Sequence, residues 1–90
     1  MMRTVYKYEL PVEDVHDLTL PVGARLVHHA AESQSLLLLW FEVNTTAPTE
    51  VRRFHVHGTG HPIFPGSKHL GSVKVDPFVW HIYESSRGIS

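Results

Sequence analysis

Turn-forming residues interrupt this 90-residue chain about every ten positions, and the segments between them alternate with period two rather than cycling with period 3.6. Segment 5–10 sets Tyr6, Tyr8 and Leu10 against Val5, Lys7 and Glu9. Segment 15–20 directs His16, Leu18 and Leu20 one way, and segment 24–30 sets Leu26 and His28 against Val27 and His29. Segment 36–43 is apolar on both faces, which suits a central strand covered on both sides. Segments 51–57, 69–75 and 78–84 complete the series. Pro11, Pro21-Val22-Gly23, the polar run 32–35, the Asn/Thr/Pro stretch 44–49, the Gly/Pro-rich stretch 58–68 and Asp76-Pro77 supply the breaks. The expected fold is all-β: a small sandwich or barrel of six or seven short, mainly antiparallel strands, with at most one helical turn near 12–15. A single domain fills 1–84, and 85–90 reads as a flexible tail.

A chain this short buries only roughly 60–65% of its unfolded surface, so it has one core and gains from forming a homo-oligomer. Its net charge of −1 lacks the basic excess needed for bulk nucleic-acid binding, although eight histidines become cationic below about pH 6.5. Cysteine is absent, which excludes disulfides and thiolate chemistry and suits a reducing compartment. The N-terminus lacks the apolar run of a signal peptide, and the longest apolar stretch, 36–41, is too short to span a bilayer. A soluble cytoplasmic protein without membrane contact is expected.

Polar chemistry concentrates in one place, Arg52-Arg53-Phe54-His55-Val56-His57-Gly58-Thr59-Gly60-His61-Pro62. Alternation puts Arg53, His55 and His57 on one face of a strand, with Phe54 and Val56 on the other. The glycines that follow free the backbone to present N–H groups to an anion, with Arg52 and Arg53 as bidentate donors. The candidate ligand site is therefore Arg52, Arg53, His57, Gly58, Thr59, Gly60 and His61, with Trp40 or Trp80 to stack on a ring. A rival reading takes His55, His57, His61 and His69 as metal ligands in a cupin-like arrangement. The glutamate expected beyond the His-x-His pair is missing, so neither a metal nor another cofactor is expected. Ser67, Ser72 and Thr59 have histidine neighbours in sequence but no strand-turn-helix elbow, and no catalytic residue is assigned.

The chain resembles a family of small proteins encoded by tailed bacteriophages. The likeness runs from about Arg3 to Glu84, through Val5-Tyr6-Lys7-Tyr8-Glu9-Leu10, Leu20-Pro21-Val22-Gly23-Ala24, Leu39-Trp40, Pro48-Thr49-Glu50 and Arg53-Phe54. It continues through Gly58-Thr59-Gly60-His61-Pro62-Ile63, Leu70-Gly71-Ser72-Val73 and Val79-Trp80-His81-Ile82-Tyr83-Glu84. The family pattern includes His61 but does not require His55 or His57. What it implies is a non-virion accessory protein, acting in the infected cell on a host protein or on a small anionic signal such as a defence nucleotide. A minor virion component is the alternative.

Overall fold

The computed structural model describes residues 2–13 and 15–85. Its strands are β1 (Arg3–Pro11), β2 (His16–Pro21), β3 (Arg25–Ala31), β4 (Leu36–Asn44), β5 (Thr49–Gly58), β6 (Ser67–Val75) and β7 (Phe78–Ser85). They form two sheets ordered β1-β4-β3 and β2-β5-β7-β6, with every pairing antiparallel. No helix occurs among the described residues, and none is long and apolar enough to cross a membrane. Of the expected helical turn near 12–15, Asp14 lies outside the described residues. Of the expected tail, Ser85 closes β7 and 86–90 lie outside the described residues.

The core lies between the sheets. β4 contributes Leu37, Leu39, Phe41 and Val43, all essentially inaccessible, and Leu10, Leu18, Leu20, Phe54, Val56 and Ile82 meet them from the other strands. The Phe41 and Phe54 rings, one from each sheet, sit 6.0 Å apart. Burying each such side chain is worth about 1.5–3 kcal/mol, so alternation fixes the β4 register. A slip of one residue would expose all four inward side chains and bury Glu42.

Two faces differ from the sequence expectation. The second face of β4, with Leu36, Leu38 and Trp40, is only half-buried: β1 and β3 flank it, but no layer covers it. In β3 a bulge at Val27 interrupts the alternation, since Leu26 pairs Phe41 while His28, not Val27, pairs Trp40. An extra residue on one strand reverses the facing of all that follows. His29 therefore turns toward the core side opposite Leu39, and His28 turns outward, its ring 5.0 Å from Trp40. The His29 ring then rests directly on the Gly71 backbone of β6, where any Cβ would collide with it. This bridges the β3 and β6 edges.

Candidate functional site

Arg52 and Arg53 occupy successive positions on β5 and so point to opposite faces. Arg52 enters the space between the sheets, where its Nη2 donates to Glu84 Oε1 at 2.8 Å and its Nε to Oε2 at 2.5 Å. Its Nη1 donates to the Ala24 carbonyl at 2.7 Å, and the guanidinium lies 5.5 Å from the Phe41 ring centroid. Hydrogen bonding to Glu84 raises the Arg52 pKa above its ordinary value. Arg53 points outward and donates through Nε and Nη2 to Asp17 at 2.9 and 3.3 Å, and that bond holds the Asp17 carboxyl below its usual range. Both cations are thus met bidentately by carboxylates. At about 3.3 Å per residue they also stand some 15–20 Å along the strand from Gly58.

The bend itself is a tight turn in which the His61 N–H donates to Gly58 O at 3.1 Å and Gly60 takes φ of 90°. Only glycine adopts that conformation without strain. The turn folds the His61 ring back onto Gly58, where an added Cβ would lie 3.1 Å from His61 Cε1 and 3.5 Å from Trp80 Cζ3. The missing Cβ at Gly58 thus makes room for this close approach. Between this bend and the start of β7 opens a cavity of about 290 Å³, lined by Gly58, Thr59, His61, Phe78, Val79 and Trp80 with Pro77. Phe78 and Trp80, two residues apart on one strand face, stack at 5.2 Å with their planes 22° apart. Among the described residues the buried Trp80 Nε1 has no hydrogen-bond partner. The result is an aromatic slot with a few polar edges.

A second cavity of about 270 Å³ adjoins it, lined by Val56, His57, His61, Pro62 and Phe64, so His61 forms part of both walls. The 59–66 loop folds over the outer face of β5 and brings Phe64 within 4.7 Å of His55 and 5.6 Å of His57. With Tyr83 at 5.7 Å from His57, these aromatic rings bury both histidines on a face that alternation alone would leave open.

Beside the slot, a hydrogen-bonded row crosses the sheet. His81 Nε2 lies 2.9 Å from Thr59 Oγ1 and its Nδ1 2.8 Å from Ser72 Oγ, which in turn lies 3.1 Å from His69 Nε2. A neutral imidazole has one donor and one acceptor nitrogen, so one hydroxyl gives a proton to the ring and the other receives one. The row ties the bend to β7 and β6. Among the described residues no carboxylate bonds His81 or His69, so the Ser72–His81 pair lacks the orienting acid of a nucleophilic triad. Nor do the described residues hold a group of three or more His, Asp or Glu suited to a metal ion.

The chain belongs to the family described as "Domain of unknown function (DUF7352)". The family match spans residues 1–89, so both sheets and the slot lie within it. No curated protein and no solved structure matches the chain.

Of the site residues expected from sequence, the structure brings Gly58, Thr59, His61 and Trp80 around one DUF7352 cavity, with Gly60 at the tip of the bend. It puts His57 in the adjoining cavity. Arg52 and Arg53 do not join them, and Trp40 lies on the outer face of the other sheet against His28. Sequence reasoning missed Phe78 and the Ser72–His81 contact as parts of the site. The signal for the second was available: pairing outward from the Asp76-Pro77 turn sets Val75 opposite Phe78 and Ser72 opposite His81.

Proposed function

We propose that this chain is a non-catalytic accessory protein of phage type that binds a host protein, using the slot between Phe78, Trp80 and the Gly58–His61 bend to grip one apolar or aromatic side chain. The carrying observation is the slot itself. At about 290 Å³ it is near the lower limit for small-molecule sites and suits a single ring. Phe78 on its wall is 44% accessible and Phe64 on the adjoining cavity 46%, exposed apolar surface of the kind found around hot-spot pockets at protein interfaces. Thr59 and His61, which line the slot, offer the polar contacts that would orient the incoming group. The host setting comes from the resemblance of the sequence to the phage family. A small anionic signal is the weaker reading, because both β5 arginines lie away from the slot and are engaged by Glu84 and Asp17.

The test compares wild-type protein with Phe78→Ala in affinity enrichment from bacterial host lysate, followed by calorimetry on the enriched component. Phe78 is exposed enough that its truncation tests recognition rather than folding. A host protein retained by the wild type and lost by the variant supports the reading. Equal retention by both contradicts it. Saturable binding of a mononucleotide or cyclic dinucleotide that Phe78→Ala abolishes would move the reading to the small-molecule class.

A further inference from the structure

Two sheets present four edge strands, and three of them carry features that discourage further pairing. β3 and β6 are bulged, with register shifts between Leu26 and His28 and between His69 and Gly71, and they pack against each other. β2 has only six residues. Bulges and short length are among the ordinary protections of a sheet edge. β1 has neither, and its one proline, Pro11, stands at its last position. Its nine residues pair with β4 from Arg3↔Asn44 to Pro11↔Leu36 without a shift, and it is exposed over residues 3–7 and at Glu9.

The direction of its backbone groups follows from the two ends of the ladder. The Thr45 N–H donates to Met2 O at 2.8 Å, and the Val12 N–H donates to Ser35 O at 2.9 Å. Hydrogen-bonded pairs alternate along an antiparallel ladder, so the even-numbered residues of β1 bond to β4. The N–H and C=O groups of Arg3, Val5, Lys7 and Glu9 therefore point along the open edge, away from the sheet. Lys7 and Glu9 stand on the outer face opposite Trp40 and Leu38, and neither takes part in an ion pair among the described residues.

We propose that β1 pairs antiparallel with β1 of a second copy, centred on Tyr8, joining the two three-stranded sheets into one of six strands. The charge pattern suits a second copy as the occupant. A centre on Tyr8 sets two Lys7–Glu9 pairs beside the axis, whereas a centre on Tyr6 would pair Glu9 with Arg3, which Glu42 already holds. Centred on Tyr8, Lys7 of each copy lies opposite Glu9 of the other, at the positions whose free N–H and C=O groups exchange hydrogen bonds. Centred on Lys7 or on Glu9, like charges would meet at the two-fold axis, which is unfavourable. Val5 then lies opposite Pro11, whose missing N–H falls only at the ends of the new ladder. The strand is complementary to itself, and the interface is closed by two-fold symmetry.

Sedimentation equilibrium tests this with the full chain, whose mass is 10.2 kDa. Twice that mass is expected for the wild type. Lys7→Glu and Glu9→Lys should each raise the dimer dissociation constant by about tenfold or more, since each reversal converts two attractive cross-strand pairs into repulsive ones. The double variant Lys7→Glu/Glu9→Lys should restore it. Amide hydrogen exchange supplies an independent reading: Val5, Lys7 and Glu9 should be protected at high protein concentration and exchange freely on dilution. A monomer at all concentrations, a dimer indifferent to both reversals, or rapid exchange at those three amides within a dimer would each overturn the proposal. So would protection of β1 that appears only when a different protein is added.

Discussion

Replacing Glu84 with leucine removes the carboxylate that receives two N–H groups from Arg52. The guanidinium is left among Phe41 and Phe54 with the Ala24 carbonyl as its remaining acceptor of those bonds. Breaking a fully buried ion pair costs about 3–5 kcal/mol, because the surviving charge has lost its solvent and its counter-ion together. Here the two side chains retain 19% and 16% exposure, so water partly reaches the stranded cation, and a loss of about 2–3 kcal/mol is expected. In a domain of this size that corresponds to a fall in melting temperature on the order of 10–20 °C. Removing both charges is expected to cost much less, because Arg52→Met/Glu84→Leu replaces the pair with apolar groups of similar volume. The assay is thermal unfolding by circular dichroism, with urea titration as a second measure. A Glu84→Leu protein melting within about 2 °C of the wild type would refute the argument. So would a double variant less stable than either single one. Either result would mean that the Glu84 carboxylate is not what offsets the partly buried Arg52 charge.

Acid should weaken the fold through His29. Burial, reinforced by His28 and His69, lowers its pKa from the ordinary 6.5. As pH drops below 6.5 the unfolded chain takes up this proton before the folded chain does, so stability falls until the folded pKa is passed, and rises again with pH. Urea titrations across pH 7 to 5 should show that loss, smaller in His29→Gln; an equal slope in both proteins would reject the assignment. At the slot, Phe78→Ala should weaken partner binding by roughly tenfold or more while leaving the melting temperature nearly unchanged. Unchanged affinity in calorimetry would remove Phe78 from the interface.

Period-two alternation was enough to place all seven strands within two residues of their ends, because each hydrophobic face has to meet the core and a slip exposes it. It failed where backbone geometry departs from the simple pleat. The Val27 bulge carries no signal in residue type, and it exchanges the facing of His28 and His29. The arginines show a different limit. Alternation says that Arg52 and Arg53 face opposite ways, but not that β7 brings Glu84 to one and β2 brings Asp17 to the other. Those partners are 32 and 36 residues distant in sequence. The Gly58–His61 bend was legible because Gly60 takes a positive φ that only glycine adopts without strain. Phe78 was missed because period two puts it on the face of Trp80 without showing that the end of the sandwich leaves it exposed.

The most direct test is a hydrogen-exchange footprint of the protein in complex with the host component it enriches. Protection centred on residues 58–61 and 77–80, with little change along the outer face of β4 around Trp40, is the expected result. Protection around Trp40 and His28, with the Gly58–His61 bend and the Phe78 strand exchanging as in the free protein, would contradict it.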